Sequence, residues 1–597
     1  MIRKPYLISQ AIKTYIFASI LTMAIGQLNA LVDSLLMGHL IGPEALSAIM
    51  LSFPVLNIAT IAYILLSSGA AMMAGKAIGA RDYEKSSNIF SVSIMSLLIV
   101  GIMVAFGCWL FRGELTAFIC TDKRLFPYVL QYLGCATGLS FFTMISQALS
   151  QFMDVDGKPG TVTRAMAISV SVNIVFNIFF VAICKFGITG SALASVCGSM
   201  ASIVFLVLCM TRNNKSYHFK VHVPNAIKIL GENVKNGFSM MITTVLVATC
   251  FIYMNSMVVK SLGADGMFVM SITGGLMGIC SLLTTGASQT FTSVGGMLFG
   301  QNDFRGMRIL FSKCVVIVLL AALFMTLAGQ IWPEGFAILY GAKTPELIMF
   351  SIRGLRIMTL MFIPFTLLVM MPPVYQLLGH LKLVGLMAVS YYSILLPLMT
   401  LLGKSSNPEN IWYSFPLAAW GGLALCMLVL FFIHRKNPDT MPLVLIPDPN
   451  PYHRMLDISI PARQDSVNKA MEEVSEFVES LDINSKSLKN NIELCTEELL
   501  ENIVHHSGIP SSHYIDLRIT ETDSIITVML KDDGLQFDPT ILNSAKTELG
   551  LTLARALSNK MEYKYMYSLN MTFMEWNKED SKNKYIRSSI IVPEKLL

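Results

Sequence analysis

The chain is short of charge. Only 14% of its 597 residues are Asp, Glu, Lys or Arg, while 54% are apolar, and the mean hydropathy is +0.59. That composition excludes an ordinary soluble protein and predicts a polytopic membrane protein. The 11 cysteines are scattered, with no C-x-x-C pair and no regular spacing. This excludes a disulfide framework and a cysteine-based zinc site. There is no G-x-x-x-x-G-K-[ST] loop and no H-E-x-x-H pair. His505 and His506 read as packed side chains rather than a metal pair. A cleavable leader is not expected, because the apolar stretch after Met1-Ile2-Arg3-Lys4 runs too long for one.

The little charge there is divides the chain. Residues 1–446 carry 28 Lys/Arg against 15 Asp/Glu, and residues 447–597 carry 16 against 24. A basic membrane portion fits cytoplasmic loops facing anionic lipid. An acidic soluble portion argues against nucleic acid as its partner. The break falls at Arg435-Lys436-Asn437-Pro438. Four segments are therefore expected: an N-terminal lobe at 1–215, a second lobe at 216–436, a Pro- and Asp-rich linker at 437–451, and a soluble domain at 452–597.

At about 20 apolar residues per membrane helix, about twelve spans fit between residues 12 and 433. With the N-terminus inside, Lys76/Arg81/Lys85, Lys158/Arg164, Arg305/Arg308/Lys313 and Arg435/Lys436 all face the cytoplasm, which follows the positive-inside tendency. An even span count puts both termini there, in a multi-pass plasma-membrane protein. The spans also repeat. Gly79-Ala80-Arg81-Asp82-Tyr83 returns as Gly300-Gln301-Asn302-Asp303-Phe304, and Gly157-Lys158 as Gly379-His380. Gly42-Pro43-Glu44-Ala45 returns as Gly263-Ala264-Asp265-Gly266, and the offset is 221 or 222 residues each time. Two six-helix units of one orientation form a parallel repeat, which predicts a substrate site between two lobes near mid-membrane.

Ionisable groups are costly in a bilayer. Asp33 is the one carboxylate that lies well inside a span, and the other acids of this half fall in loops or at span ends. Asn29 lies four residues before it on the same helix face, and Asn173 and Asn177 form a second such pair. Gln147 and Gln151 form a third, for which helix–helix bonding is an equal reading. Asn29, Asp33, Asn173 and Asn177 are the candidate cation and substrate residues. Asp33 suits reversible binding of H⁺, or of Na⁺ with amide oxygens around it.

NALVDSLLMGHLIGPEALSAIMLSFPV and QFMDVDGKPGTVTRAMAISVSVNIVFNIFF, the latter followed by FGITGSALAS, resemble the two signature blocks of the MATE family, the multidrug and toxin extrusion transporters. The resemblance covers about residues 8–436. It implies antiport, with H⁺ or Na⁺ influx driving export of small organic, often cationic, compounds. It places Asp33 at the family's first-helix acid and Asn173 at its asparagine; Asn177 stands where the family often has an acid.

The soluble segment reads as a strand at 453–460, a helix with Val467, Met471, Val474 and Phe477/Val478 on its apolar face, a second helix at about 485–506, strands at 514–520 and 525–530, a helix from about 549, and closing strands. That order predicts an α+β two-layer domain. Glu498 and Asn502 share a helix face and can hold Mg²⁺ through oxygen. Asp532-Asp533-Gly534 makes a turn that a ligand can approach closely, and Leu549-Gly550-Leu551 opens a helix whose amides suit phosphate.

EELLENIVHH, KDDGLQFDP and TELGLTLARAL, in that order, resemble the boxes of the GHKL superfamily (gyrase, histidine kinases, MutL), nearest its anti-sigma-factor serine kinases, over about residues 452–592. The resemblance implies an ATP–Mg²⁺ site. In it Asn502 ligates Mg²⁺, Glu498 polarises the attacking group as a catalytic residue, and His506 sits one turn on. Asp532 reads the adenine amino group, Gly534 allows its approach, and Gly550 lies near the phosphates, with Glu548 where a glycine is usual. Two functions follow as expectations. One is an antiporter with a cytoplasmic ATP-binding regulatory domain. The other is a membrane-anchored serine kinase acting on an anti-sigma-antagonist-type protein, with the membrane half as sensor.

Overall fold

The computed structural model describes residues 3–578 except 42–47, 50, 51, 53, 54, 56, 57, 59, 120–124, 214, 215, 439, 443, 448–453, 484, 507 and 542–548. The chain forms two compact units, Tyr15–Asp448 and Met1–Thr14 with Pro449–Leu597. The first segment of the expected N-terminal lobe therefore groups with the soluble domain.

The larger unit is helical. Among the described residues, 11 helices are long and apolar enough to cross a membrane. They become 12 when Phe126–Thr137 and Ser140–Val155, bent by 47°, count as one span. This is the expected two-lobe, multi-pass architecture. One helix assignment, Ala226–Thr290, covers two spans, because Gly263 at φ 63° interrupts it.

The sequence repeat is a structural repeat. Asp82 accepts a hydrogen bond from Lys85 N at 2.9 Å and caps the helix Tyr83–Leu110. Asp303 accepts from Gly306 N at 2.8 Å and caps Phe304–Ile331. The residue before each cap is left-handed, Arg81 at φ 61° and Asn302 at φ 52°. Gly157 and Gly379 match likewise, at φ 81° and 83°. The repeats also meet through equivalent residues. A Cβ on Gly79 would lie 2.2 Å from Met297 O, and one on Gly300 would lie 2.2 Å from Lys76 O. Glycine at both places lets the two backbones touch. Gly42-Pro43-Glu44-Ala45, the remaining repeat segment, lies outside the described residues.

The smaller unit carries an antiparallel sheet in the order β1-β2-β3-β5-β4. The strands are β1 Met455–Pro461, β2 Tyr514–Glu521, β3 Ile525–Asp532, β4 Lys560–Met566 and β5 Leu569–Asn577. Helices Gln464–Ser480, Lys486–His506 and Leu549–Leu557 complete it. The first of these buries Val467, Ala470, Val474 and Val478, an i, i+3, i+4 stripe. Each valine contributes about 1.5–3 kcal/mol by burial. The stripe packs in one core with Ile458, Ile515, Leu517, Ile526, Val528 and Trp576.

The opposite face of the sheet is charged and also buried. Asp516 and Arg518 are each 4% exposed and Lys531 is 3% exposed. Cross-strand register pairs Asp457 with Arg518 and Asp516 with Lys531, opposite charges in both cases. The N-terminal segment adds Arg3 to this layer. Its guanidinium lies 3.2 Å from Asp457 and 3.7 Å from Asp516.

Candidate functional site

In the membrane unit, three helices bring the four predicted polar residues together. Asn29 and Asp33 lie on Tyr6–Leu40, Asn173 and Asn177 on Pro159–Asn177, and Ser195 on Ile188–Asn213. Asn177 Nδ2 donates to Asp33 Oδ1 at 2.7 Å, and Asn29 Nδ2 lies 3.4 Å from Asp33 Oδ2. Asn173 is best satisfied with its amide oxygen accepting from Ser195 N and Oγ at 3.2 Å; its nitrogen then lies 2.9 Å from Asp33 Oδ1. Asn173 and Asn177 are buried. No salt bridge joins Asp33 to a basic residue among the described residues, so amide dipoles alone meet its charge. Asn177 Oδ1 is buried without a hydrogen-bond partner, which leaves one acceptor free beside the carboxylate.

A cavity of about 280 Å³ lies in the same unit. Its wall includes Tyr15, Tyr63, Gln147, Gln151, Asp154 and Gln289. Tyr63 donates to Gln151. Tyr15 hydrogen-bonds both Ser293, at 2.8 Å, and the Asp154 carboxylate. Asp154 carries the one carboxyl group on that wall among the described residues.

In the smaller unit, Asp532 ends β3 on the core side of the sheet. Its Oδ1 accepts from Gly534 N at 2.9 Å and from Asn570 Nδ2 at 2.7 Å. Asn570 Nδ2 also reaches Leu535 O at 3.1 Å, and Tyr563 Oη donates to Asn570 Oδ1 at 2.6 Å. The turn is thus pinned by a strand residue beneath it. Burial raises the Asp532 carboxyl above its ordinary range, and the bonds from Asn570 and Gly534 pull it partly back. A cavity of about 30 Å³ beside it is lined by Leu499, Asn502, Asp532, Leu535, Phe537 and Asn570 among others.

Gly550 starts its helix directly against Glu498. A Cβ there would lie 1.7 Å from Glu498 Oε2. The predicted residues therefore converge: Glu498 touches Gly550, and Asn502 shares a cavity with Asp532. The His506 side chain and all of Glu548 lie outside the described residues. The donor set fits a purine nucleotide with Mg²⁺. It offers a buried acceptor beside a glycine turn, an amide for the metal, and a helix start at which glycine makes room for the Glu498 carboxylate. Asn502 would hold the metal, whose chemistry is to screen phosphate charge.

Family models match both units. Residues 18–179 match the MatE family, and residues 460–576 match the histidine kinase-like ATPase domain. The chain joins a MatE domain to a histidine kinase-like ATPase domain.

The membrane part is similar to curated proteins. A multidrug export protein, MepA, of Staphylococcus haemolyticus (strain JCSC1435) is 22% identical over 422 residues, which is 70% of this chain and 92% of that protein. MepA of Staphylococcus aureus (strain bovine RF122 / ET3-1) is 25% identical over 241 residues, 39% of this chain and 53% of that one. Solved structures share the fold. A multidrug resistance MATE family transporter of the MOP superfamily, outward-facing, aligns with TM-score 0.63 and 17% identity over 73% of this chain and 98% of that one. A MOP superfamily transporter from Pyrococcus furiosus Vc1 (DSM3638) aligns with TM-score 0.64 and 17% identity, over 72% and 95%.

Two site residues escape a reading of the sequence. Asp154 follows its expected span, yet the helix Phe126–Val155 continues through it and its side chain meets the cavity. The signal was its spacing of three residues from Gln151 and seven from Gln147, which continues one helix face. Asn570 sits in a strand at a position whose neighbours in register, Thr572 and Met574, point with the core. A polar, strand-averse residue there is the trace of a pinned turn.

Proposed function

We propose that the chain is a secondary active exporter of small organic compounds, driven by H⁺ or Na⁺ and regulated through its ATPase domain. Both termini lie in the cytoplasm in this reading. Asp33 and its amides take the coupling ion, and the cavity beside Asp154 takes the compound. One observation carries it. A membrane-helix carboxylate is held by amides, with no basic partner among the described residues and an acceptor left free beside it, within the stretch matched by the MatE family. A fixed counter-ion would make the site inert, whereas neutral dipoles let a cation come and go. The MepA relatives are multidrug export proteins by name, which supports the same reading.

The test is efflux from energised membrane vesicles. Export should stop when the ion gradient is collapsed, even with ATP present. Export that persists on ATP alone would overturn the reading.

A second reading, a serine kinase, is favoured by the Glu498 carboxylate packed on the Gly550 helix start, where the phosphates would lie. Labelled ATP given to the full chain with an anti-sigma-antagonist-type protein tests it. Phosphate transfer that Glu498→Ala abolishes would establish it; no transfer leaves ATP in a regulatory role.

A further inference from the structure

The N-terminal segment is bound to the ATPase domain beside its nucleotide turn, and we propose that it is an autoinhibitory strap that ATP must displace. The inference rests on the reading of Asp532 and Asn502 as a nucleotide site.

Strand parity sets the geometry. Ile526, Val528 and Leu530 of β3 point into the core, and Asp532 continues their side. Asp533 therefore emerges on the opposite face. There it accepts from Tyr6 Oη at 2.9 Å, and His513 Nδ1 lies 3.0 Å from it. One turn is thus gripped from two sides. The core side offers Asp532 to a nucleotide, and the far side ties Asp533 to the N-terminal segment.

The segment is held at several points before Tyr6. Lys4 N donates to Ser459 Oγ at 2.7 Å, and Lys4 Nζ donates to Tyr514 Oη at 2.8 Å. The Arg3 side chain, 1% exposed, sits between Asp457 and Asp516. A guanidinium buried against two carboxylates is a specific arrangement, since each ion forfeits its hydration to be there. Tyr6 also packs on His513 and Tyr514, with ring centroids at 5.1 and 5.7 Å.

With the strap docked, the cavity at Asp532 measures about 30 Å³. Small-molecule pockets are on the order of 300 Å³ or more. Leu535, Phe537 and Pro539, which follow the turn, line the cavity as well. ATP needs a wider cavity, which a shift of the turn would supply, and the turn's far-side anchor is Tyr6. Strap docking and nucleotide binding stabilise different arrangements of one turn, so each opposes the other.

The test uses the full chain in nanodiscs, with a fluorescent ATP analogue and Mg²⁺. Tyr6→Phe removes only the hydroxyl and keeps the ring packing. It should tighten nucleotide binding by about threefold to tenfold, the worth of one hydrogen bond. Saturating nucleotide should raise hydrogen exchange in residues 3–14 of the wild type, and Asp532→Asn should abolish that rise. Equal or weaker binding by Tyr6→Phe, or exchange that nucleotide leaves unchanged, overturns the strap while leaving the nucleotide site standing. A wild type and a Tyr6→Phe chain that both bind no nucleotide overturn the site and the strap together.

Discussion

Asn177 Nδ2 lies 2.7 Å from Asp33 Oδ1. The position at which the family often carries a second acid here supplies a donor to the first. One carboxylate with neutral partners carries a single exchangeable charge, where two acids would repel each other and share a proton. Asp33→Asn should therefore reduce ion-driven efflux to background while nucleotide titration of the same preparation stays unchanged. Efflux at wild-type rate would remove Asp33 from the mechanism.

The Asp154 cavity has one carboxyl group among the described residues and two tyrosine rings. A lipophilic monocation gains both the carboxylate and a ring face. Asp154→Asn should weaken binding of tetraphenylphosphonium about tenfold, the effect of roughly 1.4 kcal/mol, and leave an uncharged compound of the same shape unaffected. Calorimetry on the purified chain separates the two. An equal loss for both compounds would mean that Asp154 only shapes the cavity.

Nucleotide binding should depend on pH through Asp532. Its carboxyl is raised by burial, and an adenine amino group bonds more strongly to the ionised form as acceptor. Protons and nucleotide therefore compete. Affinity is full above the raised pKa and falls as pH drops through it, at a higher pH than the roughly 3.9 of an ordinary Asp. Titrations at stepwise lower pH should show this decline in the wild type. Asp532→Asn should bind weakly at every pH, with no decline in that window.

Gly79 and Gly300 hold the two repeats together by backbone contact. A methyl group on Gly79 would meet Met297 O at 2.2 Å. Gly79→Ala should cost about 1–3 kcal/mol by overpacking and lower the melting temperature in detergent. A methyl group on Gly107 would have nothing within 4 Å, so Gly107→Ala should melt as wild type does. A wild-type melt for Gly79→Ala would show that the contact is looser than its geometry.

Much of this was legible in the residues. The helices of the ATPase domain announced themselves by the Val467/Val474/Val478 stripe, and β2 by the alternation of Ile515, Leu517 and Ile519 with Asp516 and Arg518. Periodicity is a local property, so it survives in the sequence. The same holds for Asn29 with Asp33 and for Asn173 with Asn177, because four residues are about one turn. That these two pairs meet each other is a matter of packing between distant helices, for which the sequence offered only the cost of leaving such groups alone in lipid.

What tertiary structure alone decided lies where a local pattern has two outcomes. Alternating charge on β1 and β2 predicts a wet face, but that face is buried, because Arg3, 454 residues before Asp457, supplies the charge that lets Asp457 and Asp516 leave water. Asp532 and Asp533 are neighbours of one chemistry, and strand parity sends one to the core-side cavity and the other to Tyr6. The sequence by itself determined the two kinds of unit, their elements and the residue types of each site, since hydropathy and period act over a few turns. Which side chains share a cavity, and which carboxylate the N-terminus ties down, depend on contacts between segments far apart in the chain, and only the folded molecule sets those.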